Sequence, residues 1–343
     1  MARPGAAAPP ITVRDVAREA GVSSMTVSRV INGGVNVAPE TRVRVERALR
    51  KLDYRRNENA RSIRPGQRTG LIGVVITNIT NPYYAQLLNG VEDVLSRAGR
   101  RVLVGVSHGN PAAEAALVAD FRGRQVEGLV VVPTGGVTTH LGPRALNSLP
   151  LVLASRASED VEADTVIVDD RHGSYEGVAS LLARGHERIA FIGNAPSVST
   201  SQRRYEGFRD AHADAGVRVV DELVCRSAAL KEQGREAVSA MLALPAAPDA
   251  YFATNNRLAV GALEALLPYR QAHPGDDPAP LLAFDNFDLS HLIDYPIELI
   301  DHDARALGRE AGRLLLTRLD APGDQGPALQ VTLPTRRHAA TAT

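Results

Sequence analysis

The chain has 343 residues, 44% apolar and 23% charged, with a formal net charge of zero. That length holds two or three domains, and the composition excludes a largely disordered chain. No stretch reaches the ~20 unbroken apolar residues of a membrane helix, the first ten residues lack the apolar run of a secretory signal, and a single cysteine, Cys225, excludes an internal disulfide framework and a multi-cysteine zinc site. A reducing cytoplasm is the expected compartment. The neutral total hides a segregation. The first 70 residues hold 14 Lys and Arg against 6 Asp and Glu, and the remainder holds 25 against 33. A basic head on an acidic body is the pattern of a head that meets a polyanion, with a solvated basic face as the alternative.

Residues 1–10 read as a disordered tail. From Ile11 to Tyr54 the chain reads as three short helices. Val13, Val16, Ala17 and Ala20 recur at helical spacing. Gly21 permits a tight turn, and Ser23 caps a second helix bearing Val27, Val30 and Ile31 on one face. Pro39 fits the first position of a third helix, with Val45, Ala48, Leu49 and Leu52 as its core stripe. Residues 55–69 are nearly devoid of apolar side chains and are broken by Pro65-Gly66, so they read as a linker with one short helix at 57–63.

Beyond Gly70 short β-branched runs alternate with amphipathic segments. The predicted strands are Leu71–Ile76, Arg101–Val106, Gly128–Val132, Leu151–Ala154, Val166–Val168, Ile189–Ile192, Ala250–Ala253 and Pro280–Phe284. The predicted helices are Tyr84–Arg97, Ala112–Arg124, Gly173–Arg184, Arg203–Ala215, Gly234–Leu244, Leu258–Leu267 and Ala304–Arg318. Strand–helix alternation means parallel sheets covered on both faces, and about 270 residues of it exceed one compact sheet. The expected fold is a small all-α helix-turn-helix headpiece (11–56), a hinge helix and linker (57–69), and an α/β core of two parallel-sheet subdomains (70–343). One lobe takes about 70–165 plus 301–330, the other about 166–300.

Gly21-Val22-Ser23 between two short helices is the spacing of a helix-turn-helix, which lays the start of its second helix in the DNA major groove; a small helical bundle with a glycine turn is the alternative. The positions placed at that tip are Ser24, Met25, Thr26, Ser28 and Arg29. Arg29 can donate two hydrogen bonds to guanine O6 and N7, Ser23, Thr26 and Asn32 suit phosphate oxygens, and Met25 suits a thymine methyl.

The run from Ile11 to Asn32, with Ala38-Pro-Glu-Thr-Arg42, Leu52-Asp-Tyr54 and Asn57-Glu-Asn-Ala-Arg-Ser-Ile63, resembles the headpiece of lactose/galactose-repressor-type (LacI/GalR) regulators, and the resemblance extends over nearly the whole chain. It implies a homodimer on operator DNA. It adds Tyr54, Asn57, Ala60 and Ile63 to the DNA-contacting set, Ile63 as the aliphatic wedge of a hinge helix in the minor groove. Three positions depart from the family pattern. Ala38 replaces a serine cap, Asp53 a helix-ending glycine and Arg56 a proline.

The body resembles the family's periplasmic-binding-protein-like core, in which a small-molecule effector, a sugar by family precedent, sits between two lobes. Ligands of open α/β sheets bind at the carboxyl ends of strands. That rule selects Tyr83 and Tyr84, Ser155 and Arg156, Arg204, Asn255 and Asp285. The resemblance assigns effector binding to Arg204, Asn255 and Asp285; an Arg204–Asp285 ion pair bridging the lobes is the alternative. Ser155 stands where an aspartate is frequent, and Asn256 replaces the aspartate of the usual Asn-Asp pair. With no tryptophan, a sugar-stacking ring would come from Tyr83, Tyr84 or Phe287. Fewer carboxylates leave room for a less basic or an anionic ligand.

Two other classes compete. Gly105-Val-Ser-His-Gly109 matches the G-x-S-x-G elbow of α/β-hydrolases, with Ser107 as nucleophile. A solute-binding protein shares the expected body but needs an export signal and no headpiece. No cofactor or metal is expected, because no phosphate-cradling glycine motif occurs and the nine histidines lack ligand spacing. The reading is an effector-responsive DNA-binding regulator, not an enzyme.

Overall fold

A computed structural model describes residues 11–31, 33–34, 37–54, 69–321 and 326–339, and the chain divides into two units, 1–68 and 69–343. In the first unit Thr12 opens helix α1 (Val13–Ala20). Its hydroxyl accepts the Asp15 N–H at 3.4 Å, and the Asp15 carboxylate accepts the Thr12 N–H at 2.9 Å. Each satisfies a backbone donor that the first helical turn leaves open. Gly21 ends α1 at φ +65°, a left-handed backbone that costs glycine nothing. Ser23 accepts the Thr26 N–H at 3.1 Å and so caps α2 (Ser24–Ile31). Helix α3 (Pro39–Lys51) starts on Pro39, and Ala38 gives it no side-chain cap. Asp53 holds the left-handed turn after α3 at φ +44°. Val16, Ala17, Ala20, Val27, Val30, Val45 and Ala48 form the core of the three helices, with Tyr54 packed against it.

The second unit holds two six-stranded sheets. The first has β1 (Leu71–Ile76), β2 (Arg101–Val106), β3 (Gly128–Val131), β4 (Leu151–Ala154), β5 (Asp164–Val168) and β11 (Gln330–Leu333), all parallel, in the order β11-β5-β4-β3-β1-β2. The second has β6 (Ile189–Ile192), β7 (Val224–Cys225), β8 (Ala250–Ala253), β9 (Leu281–Phe284), β10 (Ile297–Asp301) and β12 (Arg336–Ala339), in the order β12-β10-β9-β8-β6-β7. Only β12 runs antiparallel. Helices α4 (Pro82–Leu95), α5 (Pro111–Gly123), the short α6 (Pro143–Leu146), α7 (Asp170–Ala183), α8 (Ser199–Ala215), α9 (Lys231–Leu242), α10 (Asn256–Ala272) and α11 (Ala304–Asp320) complete it. In each sheet the chain first steps one way (β1 to β2, β6 to β7) and then returns to the other side. That reversal opens a crevice at the carboxyl ends of the strands.

The division between lobes differs from the expected one. Val166–Val168 belongs to β5, which pairs with β4 and completes the first sheet. The chain then crosses to the second lobe at Asp169, returns after Asp301, and crosses a third time between Leu333 and Arg336. The strand Arg336–Ala339 has no apolar periodicity to announce it. It is held on β10 by an antiparallel backbone ladder, flanked by the Arg337–Glu298 ion pair at 2.9 Å and a His338–Asp301 contact at 3.7 Å. Paired helices meet at glycines. A Cβ on Gly308 of α11 would overlap the Leu87 carbonyl oxygen of α4, and one on Gly207 of α8 would overlap the Arg171 carbonyl of α7.

Candidate functional site

On the headpiece, Ser24, Met25 and Arg29 are exposed along α2, and Thr26 and Ser28 are half-buried. Arg29 Nη2 lies 3.8 Å from the Met25 sulfur. Ser23 is exposed, but its hydroxyl already serves the cap and sits 2.9 Å from the Thr26 hydroxyl. Tyr54 is half-buried against the headpiece core. Asn32, Asn57, Ala60 and Ile63 lie outside the described residues.

In the second unit Tyr83, Tyr84, Ser155, Arg204, Asn255 and Asp285 all line one cavity of about 360 Å³ at the carboxyl ends of both sheets. The Tyr83 hydroxyl donates to Ser155 Oγ at 2.8 Å. Burial, then the Asp285 carboxylate, pushes that phenol far above its ordinary value, so it stays a donor. Ser155 (φ +66°) and Asp285 (φ +67°) both hold left-handed backbones, a strain that persists only where surrounding structure enforces it. Asn255 caps α10 by accepting the Leu258 N–H at 2.9 Å, which leaves its amide donors available. Phe287 lines a neighbouring depression instead, so of the three candidate stacking rings Tyr83 and Tyr84 line this cavity.

Arg204 is 7% exposed, and its guanidinium lies over the Phe284 ring at 3.5 Å. Nε donates to Asp170 Oδ1 at 2.8 Å, Nη2 stands 2.7 Å from the same oxygen as its ion-pair contact, and Nη1 donates to the Thr254 carbonyl. Asp285 Oδ2 stands 3.7 Å from Nη1, and its Oδ1 stands 3.5 Å from Nδ1 of the buried His302. Asp170, Arg204 and Asp285 all belong to the second lobe, so the expected alternative of a lobe-bridging pair is corrected. The lobes are instead joined by a reciprocal amide pair, Asn81 Nδ2 to Asn256 Oδ1 at 3.1 Å and Asn256 Nδ2 to Asn81 Oδ1 at 2.9 Å. The Ala157 N–H donates to Ser199 Oγ at 3.1 Å beside it.

Sequence reasoning missed Asp170, although it follows β5 by the same carboxyl-end rule that found the others. It missed His302 because β10 itself was unrecognised. Ser107 is no elbow nucleophile: its hydroxyl is fully buried and donates to the Ile76 carbonyl at 3.3 Å. Among the described residues no group of three metal-ligating side chains converges.

Residues 12–57 match the model of bacterial regulatory proteins of the lacI family, and residues 69–339 match that of periplasmic binding proteins and the sugar binding domain of the LacI family. The chain belongs to the LacI family. Catabolite control protein A of Priestia megaterium is 30% identical over 306 residues, covering 89% of this chain and 91% of that protein. The transcriptional repressor CytR of Escherichia coli K12 is 27% identical, covering 90% and 89%. A LacI-family transcriptional regulator from Silicibacter pomeroyi superposes with a TM-score of 0.80 at 26% identity, covering 97% of this chain and 99% of that one. The protein is therefore a DNA-binding transcriptional regulator with an effector-binding domain. No helix among the described residues is long and apolar enough to cross a membrane.

Proposed function

We propose that this LacI-family member is a cytoplasmic homodimeric repressor whose effector is a polyhydroxylated small molecule. The headpiece at 11–56 reads base edges through Ser24, Met25, Thr26, Ser28 and Arg29. Ser23, Thr26 and Asn32 hold phosphates, Tyr54, Asn57 and Ala60 complete the DNA-contacting set, and Ile63 enters the minor groove from the hinge at 57–69. Two copies are required because a helix-turn-helix reads one half-site of a roughly palindromic operator. Its work is binding, not catalysis.

The observation that carries the effector reading is the Arg204–Asp285 pair. Two of the five guanidinium N–H groups are hydrogen-bonded, Nη2 pairs with Asp170, and the Asp285 carboxylate on the cavity wall makes only the 3.7 Å contact to Arg204 and the 3.5 Å contact to His302. Remaining guanidinium donors beside a carboxylate on the cavity wall match hydroxyl groups, each of which donates and accepts. Asn255 adds amide donors, and Tyr83 with Tyr84 supplies ring faces. A ligand bridging the lobes changes their angle and so the spacing of the two hinges, and the coupling is reciprocal: effector and operator alter each other's affinity by the same factor. The test is selection of genomic fragments by the full chain at moderate ionic strength, with and without metabolite extract. An operator whose occupancy changes with the extract is expected. No preference over scrambled competitor under either condition overturns the reading.

A further inference from the structure

The charge lining the effector cleft is lopsided. Arg156 of the first lobe and Arg257 of the second both line the cavity, and neither makes an ion pair with a carboxylate among the described residues. Arg156 is half-buried and held in place by uncharged acceptors, the Pro133 carbonyl at 3.0 Å and the Tyr84 hydroxyl at 3.5 Å. Arg257 sits in the first turn of α10, where the helix dipole opposes a cation. The cavity wall carries a single carboxylate, Asp285. The two acids behind the wall are engaged, Asp170 by Arg204 and Glu114 by His140 (2.8 Å) and the Thr134 N–H (2.7 Å).

The backbone adds to the same sign. Helices α4, α8 and α10 begin at this cavity, and none has an acidic residue in its first turn. Helix α8 also lacks any side-chain cap at Val198, with Thr200 and Ser201 on the cavity wall. Thr134, 7% exposed, borders the cavity, and its buried hydroxyl has no hydrogen-bond partner among the described residues. A half-buried arginine without a counter-ion, a second one against its own helix dipole, and an unsatisfied buried hydroxyl are each unfavourable in isolation. One negatively charged group would relieve all three.

We infer that the effector carries an anionic group, phosphate or carboxylate, seated between Arg156 and Arg257 with Thr134 and the α8 N-terminus as further donors. Its hydroxyl-bearing end lies toward Arg204 and Asp285. The inference rests on the regulator reading above and narrows its ligand to acidic or phosphorylated polyols. Arg204 is not the anion's seat, because Asp170 already neutralises it.

The test is thermal unfolding of the purified full chain titrated with inorganic phosphate in one arm and acetate in the other, against chloride at matched ionic strength. The anion of the right class should raise Tm saturably, by about 3 °C at ten times its dissociation constant, and the responding arm names the class. The Arg156→Gln, Arg257→Gln double variant should lose that rise. Arg257→Gln alone, which removes a cation from a helix N-terminus, should weaken the response at least tenfold while raising its own Tm in chloride; it serves where the double variant does not fold. Neither anion exceeding chloride, or the same rise in the variants, overturns the inference. Operator binding by the same preparation is read separately by fluorescence anisotropy. Operator binding without an anion response removes the anion site alone, and an anion response without operator binding removes the regulator reading alone.

Discussion

Replacing Arg204 by alanine is the sharpest test of the second lobe, because it removes more than a ligand contact. The Asp170 side chain is completely buried, and the Arg204 guanidinium is the cation against it. Breaking a buried pair by deleting one partner costs about 3–5 kcal/mol, since the other charge is left uncompensated. Loss of the guanidinium over Phe284 acts in the same direction. With about 2–4 °C lost per kcal/mol in a domain of this size, Arg204→Ala should melt about 6–20 °C below the wild type at pH 8. Asp170→Asn should cost much less, about 1–2 kcal/mol, because Asp285 at 3.7 Å remains as counter-ion and the amide oxygen still accepts a hydrogen bond. The double variant should then lie well above the sum of the two losses. Burial pushes the Asp170 carboxyl upward while Arg204 pulls it back. Without Arg204 the carboxyl rises further, so the native state of the variant takes up a proton that the unfolded chain does not. A raised carboxyl favours folding at low pH and loses that contribution as pH climbs through its folded value. The deficit of Arg204→Ala should therefore shrink between pH 8 and pH 5. Calorimetry on the four proteins at both pH values decides it. A drop under 2 °C at pH 8, or a strictly additive cycle, would refute the ion-pair account.

Arg29→Ala should weaken operator binding about 5- to 150-fold and relax one base position, as expected for loss of a bidentate base contact; an anisotropy titration showing equal loss on scrambled DNA would contradict direct readout. Asp53→Gly should stabilise the headpiece by about 0.5–1 kcal/mol, because φ +44° strains a side chain but not glycine; slower amide exchange in α1–α3 is the measurement. Gly308→Ala should destabilise the core by about 3 kcal/mol or more, since a methyl there meets the Leu87 backbone of α4, not a side chain that can turn away; an unchanged denaturation midpoint would count against that helix crossing. His212 is buried on the Phe208 ring at 4.3 Å, and burial holds its pKa below the ordinary 6.5. A depressed histidine contributes stability above its unfolded value and loses it as pH falls below that value. Wild-type Tm should drop between pH 7.5 and 5.5, and His212→Leu should flatten that part of the profile.

Local chemistry made much of the fold legible. Gly21, Ser23 and Pro39 punctuate the headpiece because a left-handed turn, a cap acceptor and a preset φ are properties of single residues. The central strands were readable because they are buried on both faces and therefore continuous in apolar residues. What escaped the sequence depends on partners remote in the chain. Arg336–Ala339 is a strand through its ladder with β10, whose Glu298 and Asp301 face its basic side chains. Asp170 matters only because Arg204, 34 residues on, turns back onto it. The carboxyl-end rule selected seven residues that all line one cavity, since it follows from topology. It could not tell which of them were already engaged with one another.

The departure at Asn256 shows how a local substitution acquires its reason at long range. An aspartate at the start of a helix is favourable in its own right, because the dipole attracts it. Asn256 gives up that gain and meets Asn81, 175 residues away on the other lobe, in a pair where each amide both donates and accepts. A carboxylate could accept from Asn81 Nδ2 but could not donate to Asn81 Oδ1, and would set a charge against that oxygen in a buried contact. That oxygen also accepts the Tyr83 N–H at 3.0 Å and so caps α4. The same side chain thus closes the lobes and positions the tyrosine of the cleft. Opening the lobes breaks this pair along with the Ala157–Ser199 hydrogen bond, and the pair, two bonds between neutral groups that water replaces, contributes about 1–3 kcal/mol. That is the size of coupling an effector needs to shift a two-state equilibrium measurably. A charged pair at this point would hold the lobes too firmly, or too loosely after protonation, for a ligand to decide between them.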